Sequence, residues 1–383
     1  MKHKHSNPFQ IIFILWYVSE IFFNTTLKFF MGIPIRQLNN VVNYLILVLL
    51  LIQIFFFQVY RKKELIFIAI VSVPLIISAA ISTKFSLLSA WMFIIASKKT
   101  DFEKIIRIAY KILCIMIPLV IILHFMGIID DRITMRGGML RHSMGFAHPN
   151  QFGLRLFQFI ACHLYIHRNM LKLYDFFIAI VIMFIAYYIP NSQTSYICIF
   201  LLILLLLVLK ICQRYNQTIL ELYGKILLFF ATAFNFFSVC WSLIDVKKNR
   251  ILQQIDLGLS LRFSSCYKVF HLYGISVLGQ RIYASEEDRK MVGMTGKLYL
   301  DNGYVTLLLR YGVIAYGIFS ACYLFAMWYF KSRNQYFLFV ILFVYALYGI
   351  MENGIYMVTH NIFLISFTSI ITARLVETTV HGE

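Results

Sequence analysis

The sequence predicts an all-α polytopic membrane protein, and three observations lead there. Hydrophobic residues make up 61% of the 383 residues and charged residues only 14%, whereas a soluble domain sits near half apolar and a quarter charged. Mean hydropathy is +0.77. The apolar residues, 37 Phe and 24 Tyr among them, gather in runs such as Leu45 to Phe57. So much hydrocarbon calls for lipid as the solvent. The net charge of +18 is scattered between apolar runs, so no nucleic acid is expected as a partner. Seven Cys at irregular spacings, without a C-x-x-C pair, exclude a disulfide framework and a zinc ribbon.

About 12 transmembrane helices are expected within a single integral membrane domain, 1–383. The first, 9–24, follows Lys2 and Lys4 as a signal peptide would. It lacks a small-residue cleavage site and carries Glu20, so it reads as an uncleaved helix. Arg61, Lys62 and Lys63 separate spans at 40–60 and 64–82, and a short span at 84–98 leads to one at 105–126. Pro149 fixes the start of 151–167. A short span at 174–190 meets 192–212 through the turn Asn191-Ser192-Gln193-Thr194-Ser195, whose hydroxyls cap the later helix. Spans at 224–244, 300–330, 336–352 and 360–376 complete the set.

Cations set the orientation. Lys2, Lys4, Arg61, Lys62, Lys63, Lys98, Lys99, Lys104, Arg107, Arg168, Lys172, Lys210, Arg214, Lys225, Lys331, Arg333 and Arg374 fall on one side of this threading. Short connections on the other side hold only Lys28, Arg36 and Lys84. The bias puts both termini in the cytoplasm. Two long loops, 127–150 and 245–299, then lie outside and carry most of the remaining cations. Loops of that length are usually functional, and an anionic ligand would explain their basicity. No internal repeat is visible.

Three segments carry candidate chemistry. The first contains Arg136, Gly137, Gly138, Arg141, His142, Ser143, Gly145, His148, Pro149 and Asn150. Its glycines permit close backbone approach, and its arginines can fork onto a phosphate; a turn that binds lipid headgroups is the alternative. The second is an expected helix over 260–273, with Ser260, Ser264, Lys268 and His271 on a polar stripe. Arg262 lies opposite, beside Cys266, Val269 and Tyr273, and must snorkel or pair with something buried. Arg281, behind Gly279, could return the chain to the site, whereas Glu286, Glu287 and Asp288 read as a solvated tip. The third opens with Asp301, Asn302, Gly303 and Tyr304, where Asp301 or Asn302 would cap a helix. Gly303, Thr306, Arg310, Gly317 and Ala321 then share a face at 3.6 periodicity, and Arg310 on it needs a carboxylate or a phosphate. Glu20, Lys111, Arg155 and Glu352 read as charges that pair among themselves or serve function, and His360 could line the same cavity. His163 and His167 lie four apart on one helix, as a metal would need, but no third ligand is near in sequence, so no metal is expected.

With those residues in view, the chain resembles the Wzy-type bacterial polysaccharide polymerases of the O-antigen ligase and polymerase superfamily. The resemblance rests on Arg141, Ser143, Gly145, Phe146, His148, Pro149, Asn150, Phe152 and Gly153, then Arg262 with Gly279, then Asp301-Asn302 and Gly312. Gln193 departs from the pattern by replacing an arginine. Asp301 also departs, standing where ligase relatives carry histidine, which favours polymerase over ligase. The resemblance implies a glycosyltransferase C-like fold in the bacterial cytoplasmic (inner) membrane, with its active site facing outside. It implies inverting, metal-independent transfer between oligosaccharide units on undecaprenyl diphosphate, without a cofactor. A flippase and a chain-length regulator of the same pathway are the implied partners, besides membrane lipid. On this reading Asp301 or His148 acts as base. Arg136, Arg141, Arg262, Arg281 and Arg310 hold the diphosphate, and Asn150, Asn302, Tyr304 and His360 position the substrate. A ligase-like glycan transferase and a transporter of lipid-linked oligosaccharide are the competing readings.

Overall fold

A computed structural model describes residues 8–259, 261–284, 289–290, 292–293 and 298–373. Lys2, Lys4, Ser260, Glu286, Glu287, Asp288, Lys297 and Arg374 lie outside the described residues. Helices stand at the expected places as far as 336–352, whereas the last, 360–376, holds a 3-10 segment and a six-residue helix up to 373. They are α1 (Pro8–Phe23), α2 (Ile35–Phe56), α3 (Lys62–Ser82), α4 (Ser86–Ala96), α5 (Phe102–Phe125), α6 (Pro149–Ile166) and α7 (Leu173–Tyr188). They continue as α8 (Gln193–Tyr215), α9 (Gln217–Ser242), α10 (Arg250–Gly258), α11 (Arg262–Tyr273), α12 (Gly303–Ser332) and α13 (Tyr336–Met351). A 3-10 segment, Ile362–Phe367, runs into α14 (Thr368–Ala373). Six of them, α2, α3, α5, α8, α9 and α12, are long and apolar enough to cross a hydrocarbon core of about 30 Å. The protein has the architecture of a mostly helical, multi-pass membrane protein.

Burial is inverted relative to a water-soluble bundle. On α3, Ile66, Ile70, Val73 and Ile77 face outward while Ser78 and Ser82 are buried. On α2, Phe56 is 81% exposed and Gln53 only 1%. Water would expel the first kind of side chain and welcome the second. Lipid reverses both preferences.

The chain divides into two compact units, 1–60 with 92–208 and 358–383, and 61–91 with 209–357. In the first, α1 packs on α2 and α5, α5 on α6, α6 on α7, and the 3-10 segment on α5. Trp16 meets Phe93 at 4.4 Å between ring centroids, and Phe13 and Tyr17 stack at 5.5 Å. Gly153 of α6 fits under the Asn191–Ser195 turn: a Cβ there would lie 2.4 Å from that of Ser192. In the second unit α9 packs on α11, α12 and α13, and α3 packs on α12. α13 is buried on nearly all sides, as a hydrophobic helix inside a bundle should be.

The long loops are ordered by their own chemistry. In the first, β3 (Thr134–Arg136) pairs antiparallel with β4 (Met139–Arg141), as β1 (Phe29–Phe30) does with β2 (Ile33–Pro34) between α1 and α2. Gly137 and Gly138 have φ of +55° and +78°, the pair of positive values that a two-residue I′ hairpin turn requires. These two glycines close a hairpin, with nothing within 4 Å of either Cβ position, rather than admitting a neighbour. The second long loop carries α10 and α11.

One feature of α12 departs from the sequence reading. Residues Leu307–Tyr311 form a π-helical turn, and Gly312 follows at φ +92°. The segment 276–280 lies against this break: Val313 N–H donates to Ser276 O at 3.0 Å, and Gln280 N–H to Arg310 O at 2.9 Å. A Cβ on Gly312 would come within 2.4 Å of Gly279 N, so glycine is obligatory there. The extra residue in the turn rotates everything beyond it. Gly317 and Ala321 are therefore exposed, and Ala315, Phe319 and Tyr323 are buried in their place. The single 3.6-residue stripe through Arg310 does not exist.

If the outward face of α3 meets lipid, Ile70→Arg, at a position 64% exposed, should impair insertion by about 3 kcal/mol. Yield in the membrane fraction would fall sharply. Unchanged yield would contradict a lipid-facing α3.

Candidate functional site

In the second unit, the start of α11 is built around Asp256. This fully buried carboxylate accepts from Phe263 N–H at 2.9 Å, from Ser264 N–H at 3.2 Å and from the Ser264 hydroxyl. Phe263 stacks on Trp241 at 4.6 Å. Together they fix the first turn and turn Arg262 inward, where it is 6% exposed. Its Nη2 donates to Glu352 Oε1 at 3.0 Å. Its Nη1 is buried without a hydrogen-bond partner among the described residues. The expected helix and its buried arginine are both present.

Asn302, and not Asp301, caps α12. Its Oδ1 accepts from Tyr304 N–H at 3.0 Å and Val305 N–H at 3.1 Å, and its Nδ2 donates to Ser238 Oγ at 2.5 Å. Asp301 is half-buried, and its carboxylate has no hydrogen-bond or ion-pair partner among the described residues. Cys266 of α11 lies within the field of both Asp301 and Arg262. Burial, with the Asp301 charge adding to it, pushes the Cys266 thiol up to about 12, so it stays protonated and is no nucleophile. Gly303 permits the approach of 352–355: a Cβ on it would sit 3.1 Å from Glu352 O and 2.8 Å from Ile355 Cγ2. Arg262, Cys266, Asp301, Asn302 and Glu352 thus form one neighbourhood.

Farther along α12, Arg310 is half-buried with its Nε lacking a partner among the described residues. Its charge acts on Tyr311 and Tyr356. Two other expected residues stand apart from this chemistry. Tyr304, 2% exposed, uses its hydroxyl on Ala346 O at 2.9 Å and is a packing residue. Arg281 is exposed, its guanidinium 4.9 Å over the Tyr283 ring.

The first unit holds the remaining candidates. Asp131 organises their loop by accepting from Ser143 N–H at 2.8 Å, Met144 N–H at 3.0 Å and Ser143 Oγ at 3.1 Å, and by facing His142 Nδ1 at 2.6 Å. Partial burial raises its pKa, but these bonds outweigh that and hold the carboxyl below its usual range. Its contribution to loop stability is complete above the unfolded carboxylate value, about 3.9, and disappears as pH falls through the lower folded value. Arg141, 3% exposed, donates from Nε to Pro190 O at 2.9 Å and from Nη2 to Asn150 Oδ1. Its fork ties the hairpin to the 190 turn through Nε and to the start of α6 through Nη2. His148 caps α6, its Nδ1 accepting from Asn150 N–H at 3.1 Å. That nitrogen is committed to the helix. Arg136 is half-buried on β3, where its charge acts on Tyr196.

His360 lies near an arginine that the sequence reading left among the ambiguous charges. Arg155 is fully buried; its Nη1 donates to Gln158 Oε1 at 2.8 Å and to Thr359 O at 2.9 Å. Its Nε and Nη2 have no partner among the described residues. Gln158 also accepts from Tyr17 at 3.1 Å, and Thr359 Oγ1 pairs with His360 Nδ1 at 2.9 Å. Glu20 and His360 both feel the Arg155 charge. The signal in the sequence is Arg155 followed three residues later by Gln158, two polar side chains on one face of an apolar helix. Glu352 has its partner in Arg262.

The cap assignment separates two neighbouring residues. Asn302→Ala should lower stability by about 1–2 kcal/mol through loss of the cap, read as a drop in the thermal unfolding midpoint in detergent. Asp301→Asn should leave the midpoint unchanged, and equal losses in the two variants would contradict the assignment. No protein-family model, no curated protein and no solved structure matches the chain.

Proposed function

We propose that the protein polymerises undecaprenyl-diphosphate-linked oligosaccharide units at the outer face of the cytoplasmic membrane. The observation that carries this reading is Arg262, buried with one nitrogen unmatched among the described residues, in the same neighbourhood as the Asp301 carboxylate, which has no partner among them either. Glycosyl transfer from a lipid diphosphate needs both groups. As the bond between the sugar C1 and the phosphate oxygen breaks, its electron pair leaves with the diphosphate, and a fixed guanidinium stabilises the developing charge. As the acceptor hydroxyl oxygen bonds to C1 from the opposite face, its proton passes to a base, and Asp301 has an accepting oxygen to offer. Arg310 extends the cationic character along α12. The reading includes twelve spans, both termini inside and the two long loops outside. It is supported by the cation bias and by the absence of an Asp-x-Asp pair in those loops.

A second reading draws on a different observation. α12 is broken at Leu307–Tyr311 and Gly312, and the largely buried stretch 352–361 is not α-helical. Discontinuous helices of this kind hold the substrate in many transporters, so a carrier of lipid-linked oligosaccharide is the alternative. A carrier needs charge but no base.

The base distinguishes them. Purified wild-type protein given lipid-linked repeat units should form polymer. Asp301→Asn should bind substrate normally but turn over at least about 100-fold more slowly, since general base catalysis contributes about 10²–10⁴. Full polymer formation by Asp301→Asn would remove the proposed base.

A further inference from the structure

The turn between α6 and α7 brings together three side chains that no step above uses. His163 Nε2 lies 2.9 Å from Asp175 Oδ1, and His167 Nδ1 lies 3.4 Å from the same oxygen. The three donor atoms are all within 4.8 Å of one another. Neither the sequence nor the spacing of the two histidines identified Asp175. It comes from the next helix, where Asp175 Oδ2 also accepts from Lys172 N–H at 2.8 Å and caps α7.

A hydrogen bond from His163 to Asp175 explains only part of this arrangement. It leaves His167 Nδ1 buried and without a hydrogen-bond partner among the described residues, although it faces the carboxylate. We propose that His163 Nε2, His167 Nδ1 and Asp175 Oδ1 bind a zinc ion, with water in the fourth position. Zinc takes imidazole nitrogen at about 2.0–2.1 Å and carboxylate oxygen at about 2.0–2.2 Å in a tetrahedron, which separates neighbouring donors by about 3.3 Å. The two measured separations bracket that value. Two histidines with one carboxylate are a zinc donor set rather than one for magnesium or calcium, which take oxygen.

The surroundings fit as well. A ligating histidine fixes its ring by giving its other N–H to a partner, and His163 Nδ1 lies 3.1 Å from the Tyr110 hydroxyl. Lys172 N–H holds the second carboxylate oxygen. His163 and Asp175 are 4% and 0% exposed, whereas His167 is 36% exposed. The buried pair is preset, and the exposed ring leaves an approach for metal and water. Binding would shift the His163 proton from Nε2 to Nδ1, where it is donated to the Tyr110 hydroxyl, and staple α6 to α7 across the turn at 168–172. The site is independent of the proposed glycosyl transfer.

The test uses full-length, tag-free protein in detergent, with His3 and His5 replaced by alanine because terminal imidazoles also take zinc. The expected result is one zinc per chain after dialysis, a raised unfolding midpoint that EDTA reverses, and an intense four-coordinate visible spectrum on cobalt substitution. His167→Ala keeps the α7 cap and should lose the bound zinc and the cobalt bands, with affinity reduced at least about 100-fold. Tyr110→Phe should weaken binding about 10-fold or more. His271→Ala, on the exposed face of α11, should bind as the parent does. Zinc no higher than trace in the parent, or the same zinc content in His167→Ala, would overturn the site.

Discussion

Lipid offers no hydrogen bonds, and the polar groups that this chain places below its surface must find partners within it. That constraint orders the structure. Asp256 gathers the first turn of α11, Asn302 the first turn of α12, and Asp131 the backbone of the hairpin loop. Each is a short side chain answering several N–H groups at once, where water would have done so in a soluble protein. Arg141 is held by the Pro190 carbonyl and Asn150, and Tyr304 by Ala346 O. Among the buried polar atoms that lack a partner in the described residues, the nitrogens of Arg155, Arg262 and Arg310 carry a full charge. Buried cationic N–H groups without acceptors are costly, and an anionic ligand would offset that cost.

Local breaks in the helices follow the same logic. The π turn at Leu307–Tyr311 frees backbone groups that a regular helix would satisfy internally. The segment 276–280 satisfies them, with Gly279 and Gly312 at positive φ allowing contact between backbones. Ser78 Oγ adds a bond to Tyr311 O at 2.7 Å. A loop segment thereby becomes part of the wall around α12.

Much of the helical layout was legible because hydropathy reports directly on what lipid can hold. The places of the helices, the amphipathic α11 and the inward Arg262 all follow from periodicity and the cost of an exposed mismatch. The π turn was not legible: one extra residue leaves composition untouched but rotates every later side chain, which is why Gly317 and Ala321 face outward. Candidate roles were harder to read than places. A residue such as Arg141 has the same chemistry whether it holds a phosphate or the Pro190 carbonyl, and only its partners decide. Arg155 was passed over for the converse reason, since an intramembrane charge pairs as readily as it binds. Asp175 was beyond reach of local spacing, as its meeting with His163 and His167 depends on how α6 and α7 pack.

The central claim is that the open nitrogen of Arg262 exists for a diphosphate. Calorimetric titration of the purified protein with a short-chain polyprenyl diphosphate tests it without requiring turnover. Because Arg262→Ala alone removes the ion-pair partner of the half-buried Glu352, the comparison uses the double variant Arg262→Ala/Glu352→Ala. The account predicts saturable binding by the wild type, weakened about 10- to 100-fold in the double variant, as the loss of a charge-assisted bond implies. Equal affinity in the two proteins would contradict it.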